Sequence, residues 1–252
     1  MNRRDLIGFL LGLVGALLFI VGTGGMELPG LNIQLPGTAQ GLTLIVGFLL
    51  AVASAIWLSR GYEPERDDLT VVQDPPFARF LLSSPRSAPL WLGIRLFLGL
   101  DWLVAGYHKI TDPQWMSGAS LAAYWERAVA IPEQGRPAIT YDWYREFLSG
   151  LLAGGHQSWF APLVAWGETL VGIALILGIF VGIAAFFGAF MNMNFMLAGS
   201  ASTNPVLFTL AVLLILAWKV AGYYGLDRYL LPMLGAPWAP GPLIRRTTSS
   251  PT

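Results

Sequence analysis

Apolar residues run almost unbroken from Ala161 to Tyr223, interrupted by Glu168, by Asn192 and Asn194, by the turn from Ser200 to Pro205, and by Lys219. Crossing a hydrocarbon core ~30 Å thick takes about 20 apolar residues, so this block predicts three membrane-spanning helices, at 161–180, 182–199 and 205–222. Leu6 to Gly22 and Gly41 to Leu58 are two further apolar runs, separated by a loop rich in glycine and proline. The first of them exceeds the roughly 7–15-residue core of a signal peptide and no Ala-x-Ala site follows it, so it reads as a retained helix. Leu90 to Lys109 makes another span, less apolar because it carries Arg95, Asp101, His108 and Lys109. The pattern predicts an all-α membrane protein with about six spans. Residues 1–58 form a transmembrane hairpin and 59–89 an exposed linker of mixed charge; 90–230 form a four-helix bundle and 231–252 a tail.

Between residues 110 and 160 the pattern changes to polar and aromatic, with Trp115, Tyr124, Trp125, Tyr141, Trp143, Tyr144 and Trp159. Such rings concentrate at headgroup depth, since one part is apolar and another forms hydrogen bonds. Trp143, Tyr144, Phe147, Leu148, Leu151 and Leu152 recur at helical spacing within it. They predict a helix lying in the membrane interface.

Composition supports the membrane reading. Of 252 residues 55% are hydrophobic and 12% charged, against roughly 25% charged in ordinary soluble domains. Formal net charge is zero, and no basic cluster precedes the tail pair Arg245 and Arg246, so nothing points to nucleic acid. The chain has no cysteine, which excludes disulfides, thiolate catalysis, a persulfide carrier and cysteine-bound iron–sulfur clusters. With six spans both termini share one side. That side carries most of the arginines, which the positive-inside rule makes cytoplasmic. The aromatic segment then faces outward.

Ionisable residues within apolar spans are costly and mark sites or structural pairs. Lys109 ends a span running outward, and its side chain leans back toward the helix N-terminus. Glu168 lies about seven residues into the next span, roughly 10 Å below the same surface at 1.5 Å per residue. The two are expected to meet, either as a pair that locks two helices or as a functional site. Arg95, Trp102 and Lys109 recur every seven residues and share a face. Arg95 reads as snorkelling to the cytoplasmic edge, with ligand binding as the other role; Asp101 points elsewhere on the helix. Asn192 and Asn194, two residues apart, cannot share one face, so one is expected to bond across helices and the other to line a cavity. Proline suits the first helical position, so Asn204-Pro205 reads as the start of the last span. His108 and His156 fall on one side of the membrane, but His156 sits in a Gly-Gly-His loop, and no haem or other metal is expected.

Several short motifs, in order, resemble the DoxX/DoxD family of four-helix membrane proteins. They are Arg95 to Gly99, Ala105 to Lys109 with Asp112-Pro113, Trp166 to Gly172 with Leu177-Gly178, Asn192 to Ser200, Thr203 to Pro205 and Ala221 to Arg228. The resemblance covers about 90–230 and leaves the first hairpin outside it. It implies a membrane subunit of thiosulfate:quinone oxidoreductase, oxidising thiosulfate to tetrathionate and passing electrons to quinone. Other members look like membrane partners of redox enzymes, and a small-solute or lipid transporter is the third alternative. The expected catalytic residues are Lys109 and Glu168, the first to attract an anion or the quinone carbonyl and the second to relay a proton. His108, Arg95, Asp101, Trp115, Arg145, Asn192 and Asn194 are expected to bind substrate or quinone. Expected partners are the lipid bilayer, quinone and a second redox subunit, at a cell membrane crossed several times.

Overall fold

The computed structural model describes residues 3–22, 27–28, 31–32, 37–59 and 74–236. The described residues fold almost wholly as helix, in two compact units: Met1–Gln73 with Ala128–Leu151, and Asp74–Arg127 with Leu152–Thr252.

In the first unit α1 (Arg3–Gly22) and α2 (Gly37–Ser59) form the expected hairpin. Small residues let the two backbones approach: Ser54 Oγ donates to the carbonyl of Gly8 at 2.7 Å, and a Cβ on Gly12 would lie 2.8 Å from that hydroxyl. The intervening loop carries a two-residue antiparallel ladder, β1 (Glu27–Leu28) with β2 (Leu31–Asn32). The helix expected from aromatic spacing is present as the later element α7 (Asp142–Ala153), which buries Tyr144 and Leu148, one turn apart.

The second unit begins within the stretch expected to be an exposed linker, residues 59–89: 60–73 lie outside the described residues, and the rest carries α3 (Pro76–Ser83), which buries no residue fully, and a 3-10 turn (Pro85–Ser87). Leu81 and Leu82 pack against the core, and the carbonyl of Leu81 accepts from Trp91 Nε1 at 2.8 Å and Ser87 Oγ at 2.7 Å. Apolar residues inside a charged stretch, with a tryptophan N–H to satisfy, hold it down.

The long helix α4 (Ala88–Thr111) is followed by α5 (Pro113–Met116) and α6 (Ala119–Val129). After α7 come α8 (Gln157–Leu177), α9 (Val181–Leu197), α10 (Asn204–Leu216), α11 (Trp218–Ala221) and α12 (Asp227–Met233). Among the described residues two helical stretches, Pro85–Thr111 and Gln157–Leu177, are long and apolar enough to cross a membrane; Leu6–Gly15, Gly37–Leu50, Val181–Leu197 and Asn204–Leu216 are shorter apolar helices. The span expected at 205–222 is interrupted at Ala217. Its start is as expected, with proline in the first turn of α10.

Glycine brings α4 and α8 together. A Cβ on Gly172 would meet the backbone of Leu103 at 2.6 Å, and one on Gly99 would lie 3.1 Å from the nitrogen of Ile176. A Cβ on Gly106 would fall on Thr169. Such close antiparallel packing sets the register that places polar residues of one helix against the other.

Candidate functional site

Lys109 Nζ stands 2.7 Å from Glu168 Oε2. Glu168 is 1% exposed and the lysine side chain 22%, so the carboxylate is sealed within the bundle while the ammonium still reaches the surface. The expected meeting of the two is observed. The α4–α8 contact at Gly106 and Thr169 produces it, since Lys109 lies one turn beyond the first and Glu168 beside the second. Trp115 completes the cluster: its ring centroid lies 5.0 Å from Lys109 Nζ, and its Nε1 donates to the carbonyl of Ala161 at 3.1 Å. The ring thus binds the ammonium by cation–π attraction while anchored to α8.

Asn192 lies within a turn of the depth of Glu168. Contacts between α8 and α9 set Gly167 against Met191 and Val171 against Gly188, so antiparallel pairing brings Glu168 level with Phe190 and Met191, next to Asn192 in the chain. The Asn192 side chain is fully buried and neither its oxygen nor its nitrogen has a hydrogen-bond partner. Asn194 points another way and donates to the carbonyl of Phe190, one turn back in its own helix, at 2.8 Å.

Other expected residues have different surroundings. His108 is exposed, its ring edge-on to Tyr107. Asp101, in the middle of α4, is also exposed and has no partner among the described residues. Arg145 belongs to the first unit, where its guanidinium donates to Asp142 and to the carbonyl of Ile139. His156 precedes α8, and its Nδ1 accepts from Trp159 Nε1 at 3.2 Å.

Arg95 is the clearest correction. Rather than snorkelling, it is 1% exposed and donates to the carbonyls of Tyr224 at 2.9 Å and Ala221 at 3.4 Å. Its guanidinium fills the space that a Cβ on Gly178 would need. Across the same turn Asp227 accepts from the amides of Phe180 and Val181, the latter at 2.9 Å. It thereby holds Phe180 at φ 45°, a conformation a non-glycine residue rarely adopts. Burial pushes the Asp227 carboxyl above the usual carboxylate range, while these two amides and Arg95 pull it down. Arg95 and Asp227 thus tie the α8–α9 turn to the segment after α11. Asp227 appeared in the sequence as part of a short motif, with no periodic signal to give it a role.

Outward-facing side chains of the second unit are large and apolar, among them Phe97, Leu100, Leu170, Ile183, Phe186 and Phe190, whereas charge is turned inward at Arg95 and Glu168. Such inversion of the soluble pattern defines an integral membrane helical protein in contact with lipid. Residues 90–201 match the DoxX family model, which makes that segment a DoxX domain. The matched segment contains the Lys109–Glu168 pair and both asparagines, and ends before α10. No curated protein and no solved structure matches the chain.

Proposed function

We propose that this protein is the membrane subunit of a quinone-linked redox system, of the DoxD-like kind that couples thiosulfate oxidation to quinone reduction. It crosses the cell membrane six times, with both termini in the cytoplasm. The observation that carries the reading is the sealed Glu168 carboxylate beside a lysine that still touches the surface. Two thiosulfates give up one electron each as a bond forms between their outer sulfurs, and a quinone takes the two electrons with two protons. Quinone supplies the electron-accepting ring. The residues present suit such a ligand: a cation for an anion or a carbonyl oxygen, a carboxylate to hand over a proton, an indole face at Trp115 and an unpaired amide at Asn192. With no cysteine to carry sulfur, electrons come directly from substrate held beside the ring or from a second subunit.

Replacing Glu168 with glutamine keeps size and hydrogen bonding but removes the titratable proton. Thiosulfate-dependent quinone reduction by membranes containing E168Q should fall at least tenfold at equal protein level, an expected order for general acid–base catalysis. Unchanged turnover would exclude this role.

Asp101 favours a second reading, a membrane anchor for a redox partner. It lies about 20 Å along α4 from Ala88 and about 15 Å from Thr111 at 1.5 Å per residue, on a stripe with Phe97 and Val104. A carboxylate there costs about 2.5–3.5 kcal/mol in lipid unless paired. A cationic side chain on a partner's helix would supply the pair. Substituting D101L should release a stoichiometric partner during purification in mild detergent while leaving the fold intact. Undiminished copurification would discard the anchor reading.

A further inference from the structure

Trp102 lies on the same face of α4 as Arg95 and Lys109, and it is buried at 3% exposure with its indole N–H unpaired. Its Nε1 would stand 3.0 Å from a Cβ built on Gly188, so the N–H lies over a glycine of α9. Asn192 is one turn further along the same face of α9, at a Cβ spacing of about 5–6 Å. Because helical side chains lean toward the N-terminus, the Asn192 amide is directed back toward Gly188 and the indole.

Two orphaned polar groups therefore converge above a residue without a side chain, in an apolar core that includes Val171, Leu175, Ala185 and Ala189. Buried polar groups nearly always have partners, and an unpaired one marks an absent water or ligand. Two such groups, on different helices and beside the same glycine, mark one occupant. An indole N–H only donates, whereas a primary amide both donates and accepts. The occupant is an oxygen.

We propose that Trp102 and Asn192 form a buried site for a single ligand oxygen, lying inward of the Lys109–Glu168 pair. The oxygen accepts from the indole N–H and bonds to the amide. Two sources share this chemistry: a water held within the bundle, and a ring oxygen of the quinone. The second source rests on the functional reading above; the first does not. In either case Glu168 gains a polar neighbour on α9, extending the pair toward the middle of the bilayer.

The test uses the full chain, purified in detergent and freed of quinone, as wild type, W102F, N192L and the double variant. Melting is measured with and without added decylubiquinone. If one oxygen bonds both residues, each single variant melts lower, by about 3 °C or more. The double variant then loses clearly less than the sum of the two, because the second change removes a contact already lost. If the oxygen belongs to the ring, the rise in melting temperature that decylubiquinone causes in wild type disappears in both single variants; if it is water, that rise persists. Leucine keeps the branching of asparagine but is larger, so N192L melting above wild type, despite the added bulk, would mean that the amide is a dry orphan and would overturn the site. Additive losses in the double variant would overturn it as well. No response of wild type to decylubiquinone would count against quinone binding, while the melting temperatures without ligand would still decide the oxygen site.

Discussion

Replacing Lys109 with methionine should destabilise the protein by about 3–5 kcal/mol, the usual result of leaving one member of a buried ion pair without the other. Glu168 has almost no access to water, so it would have to take up a proton or draw solvent into the bundle. The partial exposure of Lys109 places the expected loss near the lower end. Replacing both residues with methionine should recover most of the stability, since a buried pair often contributes no more than well-packed apolar residues do. This comparison separates the two roles the pair can have. If it only locks α4 to α8, K109M/E168M will regain stability and quinone reduction together. A functional site will regain the first and not the second. Unfolding in detergent measures stability, and turnover in membranes measures function.

Asp227→Ala is expected to cost about 3 kcal/mol, because charged hydrogen bonds contribute roughly 1.5–3 kcal/mol each and two backbone amides at the start of α9 would be left without acceptors. Phe180 would also lose the bond that offsets its left-handed backbone conformation. Asp227→Asn retains one acceptor and should lose about half as much. A D227A protein that unfolds at the wild-type temperature would mean that Arg95 alone holds the turn, through the carbonyls of Ala221 and Tyr224.

The two polar centres differ in how far they could be read in advance. Lys109 and Glu168 stand on long apolar helices, where a fixed rise per residue converts position into depth and the lean of a side chain gives it direction. Their pairing followed from those two rules. Arg95 lies on the same helix and was misread. A long cationic side chain near a membrane edge ordinarily reaches for water, and nothing in the periodicity of α4 shows that the turns 178–180 and 221–227 fold over it. Those turns owe their shape to glycines, a left-handed phenylalanine and one carboxylate, all aperiodic features. The short helix in the charged stretch before α4 left no signal for a similar reason: its leucines are few, and a tryptophan of the next helix donates to the carbonyl of Leu81.

Trp102 and Asn192 fall between these cases. Asn192 was visible alone as a polar group in an apolar run, and Trp102 was already placed on the face of Arg95 and Lys109. Their convergence depends on Gly188, whose missing side chain admits the indole edge to α9. Hydrophobic periodicity establishes that this is a helical membrane protein, where its charges sit in depth, and which residues of one helix share a face, because those properties follow from the geometry of a single helix in a slab of lipid. Which faces meet, and hence which polar groups find partners, depends on contacts between helices distant in the chain. The packing of glycine against backbone sets those contacts, and it leaves no periodic trace along the chain.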